Sequence, residues 1–129
     1  MIRNRHFIAD VPAFKRLPDE TEQPEYLRWC HAHLFCVITM ERAFDAHHSR
    51  RDEFGPIGTS NHDDRRIIPI VARLHRPGYP NSLHTLGERP FFDRHGIAYH
   101  SLSAMIWVSY DMGRDVEQAQ AAIIGAMPR

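Results

Sequence analysis

The chain has 129 residues, 16 basic and 16 acidic side chains, and no net charge when its ten histidines are neutral. That length makes one domain with a core of its own. The even balance of charge speaks against an extended basic nucleic-acid surface and against an acidic tail.

Residues 1–23 read as an irregular N-terminal arm, punctuated by Pro12 and Pro18 and closed by Pro24. Phe7, Ile8 and Phe14 give the arm apolar anchors for the body of the domain or for a second copy. It has no continuous apolar core of the kind a secretory signal needs. The longest nearly unbroken apolar run, Leu34 to Met40, is far short of the roughly 20 residues that span a bilayer. A cytoplasmic chain with no membrane association is the expectation. Cys30 and Cys36 do not make a disulfide framework, and their apolar neighbours suit buried thiols.

From Glu25 to Phe54 there is neither proline nor glycine. One continuous helix would place Leu27, Leu34 and Ile38 on the same face as Glu41, Asp45, His48 and Asp52 at 100° per residue. A stripe that turns from apolar to acidic is a poor single element. A break near Met40 resolves it: residues 33–40 form a buried strand, and residues 41–54 form a helix that stops before Gly55-Pro56. His47 then faces the core with Phe44 and Phe54, and His48 faces outward. Residues 55–64 are loop, in which Asn61 or Asp63 can cap whatever begins at Arg65.

Residues 66–75 are largely apolar and β-branched. Pro69 demotes them from a central to an edge or early strand. Pro90 can open a short helical turn that Gly96 ends. Residues 103–113 read as a buried strand ending at Gly113. Residues 115–127 read as a helix, opened by Asp115 with Gln118 in a capping-box arrangement. Val116, Ala119, Ala122, Ile123, Ala126 and Met127 form its apolar stripe.

Twice a strand runs into a helix. The predicted class is α+β, a small sheet with helices packed on one face, in an element order compatible with the ferredoxin-like plan. The alternative is an all-α bundle in which Ser101–Met112 is helical too. Residues 1–129 form a single domain.

The chemistry concentrates in residues 41–64, which hold three histidines, six carboxylates and three arginines. On the predicted helix Glu41, Asp45, His48 and Asp52 make one ridge, and Asp45 with His48 has the carboxylate-x-x-His spacing of metal-binding bundles. A solvated face accounts for the same ridge. The loop can return His62 to it, with Asp63 alongside. The expected site therefore has His62, His48 and Asp45 in catalysis and His48, His62 and Asp63 as ligands to a divalent transition metal such as zinc or iron. His31 and His33 would share a face on a strand and diverge on a helix. His84, Asp93, His95 and His100 form a further group in a turn-rich stretch. Arg42 with His47 has the loose spacing of some helical ribonucleases, and neutral net charge disfavours nucleic acid. Tyr99, Trp107 and Tyr110 suit a core as well as a pocket.

The function expected from these residues is a small-molecule enzyme using histidine and carboxylate acid–base or metal-assisted chemistry. The alternative is a non-catalytic oligomeric accessory or regulatory module. In either case a homo-oligomer, most simply a dimer, is the expected assembly.

Overall fold

The computed structural model describes residues 22–49 and 63–128, with the backbone of 51–52 and 55–56. Helix α1 (Pro24–His33) opens on a proline at its first position, where the missing N–H costs nothing. Strand β1 (Asp45–His48) pairs antiparallel with β4 (Ile67–Ile70), and the two-residue strands β2 (Arg51–Asp52) and β3 (Gly55–Pro56) pair with each other. A 3-10 turn (Asp64–Arg66) leads into β4. Five helices follow: α2 (Ala72–His75), α3 (Leu83–Leu86), α4 (Glu88–His95), α5 (Tyr99–Asp111) and α6 (Val116–Ala126). The class is α+β, as the composition of elements predicts. Its order is a helix, then the strands, then a run of helices, rather than alternating strand and helix. Among the described residues no helix is long and apolar enough to cross a membrane.

Helix α5 is the centre. Helix α6 packs along it, and the 3-10 turn and β4 lie against it. Tyr99, Leu102, Ser103, Ile106, Ser109 and Tyr110 are its buried residues, a spacing of three and four that only a helix produces. The predicted strand over this stretch fails for an identifiable reason. Met105 and Val108 sit on the outward face and stay exposed, so the sequence is apolar all round and hides its period.

The predicted strand over 33–40 is also absent. Leu34, Phe35, Cys36 and Val37 are buried as expected, but 37–39 form a turn. The Cys36 sulfur accepts the N–H groups of Ile38, Thr39 and Val71 at 3.3–3.5 Å. The side chain does here what a ladder partner would do. Only Val37 N–H reaches β4, at the Pro69 carbonyl. Pro69 itself lies in a two-stranded sheet, where each strand is an edge and a missing N–H is tolerated.

Residues 45–48 are strand, not helix. Alternation therefore decides which side chains are buried, and it places His47 at 4% exposure while His48 stays half-buried. The predicted orientation of the two histidines holds on a different period from the one that motivated it. Asp45 and His48 of the predicted ridge fall on opposite faces of β1.

The later helices follow their local signals. Asp115 caps α6 by accepting the Gln118 N–H at 3.0 Å. The Gln118 amide turns to the Ser109 hydroxyl at 2.8 Å instead of closing the box. Ala119 and Ile123 are the buried members of the α6 stripe. Gly96 ends α4 in the left-handed conformation at φ 68°, which a side chain would strain. Tyr99 and Tyr110 are core residues and Trp107 packs partly buried against the core: Tyr26 from α1 packs at 4.9 Å from both the Trp107 and Tyr110 rings, and Tyr99 stacks on Phe92 at 4.4 Å. Both cysteines are free and buried, and burial pushes the Cys30 thiol up to about 12.

Candidate metal centre

The register of the sheet builds the site. Asp45 lies opposite Ile70, so the residues that follow β4 emerge beside Asp45. Val71 is buried and starts α2, a single turn, whose last residue is His75. That turn brings His75 and Arg76 back over the face of β1 that carries Asp45 and His47, which share it as residues i and i+2.

The third segment arrives through α3. Ser82 is buried and its hydroxyl accepts the Thr85 N–H, which starts the turn, and Leu83 anchors it. His84 follows Leu83 on this turn and is exposed. Gly87, at φ 97°, then lets the chain enter α4 at Glu88.

His47, His75 and His84 each offer one ring nitrogen, and the three nitrogens lie within 4.8 Å of one another. Among the described residues this is the one group of three or more histidine, cysteine or acidic side chains gathered so closely. Nδ1 of His47 is 3.2 Å from Nε2 of His75. The far nitrogen of each is taken by a carboxylate: His47 Nε2 is 2.6 Å from Glu88 Oε2, and His75 Nδ1 is 2.9 Å from Asp45 Oδ2. A nitrogen beside a carboxylate carries the proton and donates it. The two facing nitrogens are then both lone pairs.

The charges fit that assignment. Arg76 forks Asp45 through Nε and Nη2, both at 2.8 Å, and with His75 it holds the Asp45 carboxyl down at about 2. Burial lowers the affinity of His47 for a second proton, more than the Glu88 hydrogen bond restores it, and neighbouring His84 and His48 lower it further. Burial does the same to His75, against the Asp45 hydrogen bond that raises it. Both imidazoles are therefore held neutral, the state a metal ion requires of its ligands. Phe92 packs at 5.9 Å from the His47 ring and closes the inner side.

Of the residues singled out from the sequence, Asp45 joins this centre. His48 points to the other side of β1. Its Nε2 is 2.7 Å from Asp64 Oδ1, and Asp64 also accepts the Gln23 N–H at 2.7 Å. Asp63 caps the 3-10 turn, as its position suggests, by accepting the Arg65 N–H, and it binds the Arg65 guanidinium through both oxygens at 3.0 Å. His62 lies outside the described residues. His31 and His33 diverge on α1, with His31 stacked on Phe44 at 4.7 Å and His33 edge-on to Trp29 at 5.8 Å. His84 is the member of its predicted group that reaches the cluster. His95 packs on Phe91 and His100 on Tyr99. Arg42 donates to the Ala32 carbonyl at 2.8 Å.

His75 and Glu88 carry no sequence signal that separates them from the other histidines and acids. Asp45 and His47 do carry one: the same i, i+2 logic applied to His31 and His33 would have paired them, had 45–48 been read as strand.

No known protein family, curated protein or solved structure matches the chain.

Proposed function

We propose that the chain is a small-molecule enzyme working through a divalent transition metal such as zinc, held by His47, His75 and His84. One observation carries this reading: ring nitrogens of His47, His75 and His84 converge within 4.8 Å of one another, with His47 Nδ1 3.2 Å from His75 Nε2 and a carboxylate behind each of those two rings. With the ring protons on the carboxylate-facing nitrogens, the two facing nitrogens present lone pairs that repel unless a proton or a metal ion lies between them. Two nitrogens bound to one zinc at about 2.0–2.1 Å in tetrahedral geometry are about 3.3 Å apart, so the pair is already at the spacing that ligation needs.

Three protein ligands leave a coordination position open, as catalytic zinc sites do and structural ones do not. When bound there, the ion supplies Lewis acidity and a water made acidic enough to ionise near neutral pH. The chain's own residues hold the imidazoles neutral and aimed, and exposed His84 keeps the site at the surface, within reach of a small substrate. We place the activity in the cytoplasm, where the free thiols Cys30 and Cys36 stay reduced.

Titration of purified, chelator-stripped protein with zinc tests the metal. We expect one ion per chain, removable by chelator, and zinc-dependent hydrolysis of 4-nitrophenyl acetate as a probe of the open position. A chain that takes up no zinc at micromolar concentration refutes the reading.

An oligomeric module is favoured by a separate observation. Met105 and Val108 on α5 and Met112 just past its end form an exposed apolar row at 49%, 41% and 79% exposure. Light scattering is expected to give a dimer, and a 15.0 kDa monomer at high concentration would count against assembly of any kind.

A further inference from the structure

Resting on the metal reading above, we infer that Glu88 and Asp45 are positioning residues that choose opposite nitrogens of their histidines for the ion, so that His47 ligates through Nδ1 and His75 through Nε2. The contacts are of opposite sense. Glu88 occupies Nε2 of His47 at 2.6 Å, whereas Asp45 occupies Nδ1 of His75 at 2.9 Å. An imidazole whose Nε2–H is donated to a carboxylate has only Nδ1 to offer, and the reverse holds when Nδ1–H is donated.

The two carboxylates do different amounts of this work. Asp45 shares Oδ2 between His75 and Arg76 Nε and gives Oδ1 to Arg76 Nη2, and the Arg76 side chain is itself 60% exposed. The Glu88–His47 contact is shorter and drier, with the side chains 12% and 5% exposed. A charge-assisted hydrogen bond in such surroundings is the stronger one, and it makes His47 the better electron donor of the pair. His75 carries its proton on Nδ1, the less favoured tautomer of a free histidine side chain, so Asp45 contributes by selecting the tautomer. Glu88 contributes by fixing the ring and strengthening it as a ligand.

Two measurements on the full chain test this. Long-range proton–nitrogen NMR of the imidazoles in zinc-loaded wild type reads which nitrogen binds. We expect His47 coordinated at Nδ1 with Nε2 protonated, and His75 the other way round. Chelator competition then compares Glu88→Ala with Glu88→Gln. Loss of an outer carboxylate weakens metal binding about 10- to 100-fold. We expect that loss in Glu88→Ala and recovery of most of it in Glu88→Gln, whose amide oxygen still accepts the Nε2–H. Zinc bound through Nε2 of both rings, or wild-type affinity in Glu88→Ala, overturns this inference and leaves the metal centre standing. No zinc uptake by wild type overturns both. If Glu88→Ala does not fold, the wild-type spectrum and Glu88→Gln decide the question: Nδ1 ligation of His47 with near-wild-type affinity in Glu88→Gln supports it, and Nε2 ligation refutes it.

Discussion

His47→Ala will cost the protein nearly all of its zinc affinity and about 1–3 kcal/mol of stability measured with chelator present, whereas His84→Ala will cost the affinity alone. The two histidines are ligands of the same proposed ion but sit in different surroundings. His47 is buried on β1 against Phe92 and donates to Glu88 at 2.6 Å. Removing it takes the hydrogen-bond donor from a largely buried carboxylate, a loss in the range of about 1–3 kcal/mol. His84 is exposed on a helix of a single turn, where a substitution changes stability by at most about 0.5 kcal/mol. Four-ligand zinc sites bind with about 10–16 kcal/mol, or about 2.5–4 kcal/mol for each ligand. Loss of one ligand then weakens binding about 100- to 1000-fold. Urea denaturation in chelator, beside zinc competition, separates the two effects. Equal destabilisation by both substitutions would contradict the burial difference. Wild-type zinc affinity in His84→Ala would remove it from the ligand set.

The contrast between these two residues also marks what the sequence could reveal. Burial of His47 is legible, because its neighbours in the chain leave few other orientations for it. Its partners are not legible. His75 lies 28 residues along the chain and Glu88 lies 41, and nothing local brings them together. The antiparallel register that sets Asp45 beside Ile70 does so. That register was hidden because the charged residues of 41–54 satisfy helical spacing, while residues 45–48 form a strand through their backbone. Local propensity lost here to tertiary pairing, as it readily does in short strands. Helix α5 went the other way: its apolar outward residues Met105 and Val108 mimic a buried strand. Helix α6 was legible because its signals are strictly local, an aspartate that caps the first turn and an apolar stripe of three- and four-residue spacing.

The chelator-treated protein will lose stability as the pH falls from 7 to 5, and substitution of His47 and His75 by glutamine will flatten that loss. The cause is burial of imidazoles that the fold keeps neutral. For both, the folded state holds the proton less tightly than the unfolded chain, whose imidazoles have the ordinary value of 6.5. Below that value the unfolded state binds more protons than the folded one, so acid favours unfolding. The contribution is fully present above pH 6.5 and is lost as the pH falls towards the folded values. Each proton taken up on unfolding gives a limiting slope of about 1.4 kcal/mol per pH unit. Asp45 does not produce this loss: Arg76 and His75 hold its carboxyl at about 2. Its contribution is therefore intact between pH 7 and 5 and fades only in stronger acid, as the pH falls from the unfolded carboxyl value towards 2. Bound zinc adds a second dependence of the same sign, because protons compete with the ion for the same nitrogens. Denaturation midpoints across this pH range, with chelator and with excess zinc, separate the two. A midpoint in chelator that stays level from pH 7 to pH 5 would mean that the buried histidines titrate as they do in the unfolded chain. The neutral, inward-facing lone pairs on which the metal centre depends would then be lost.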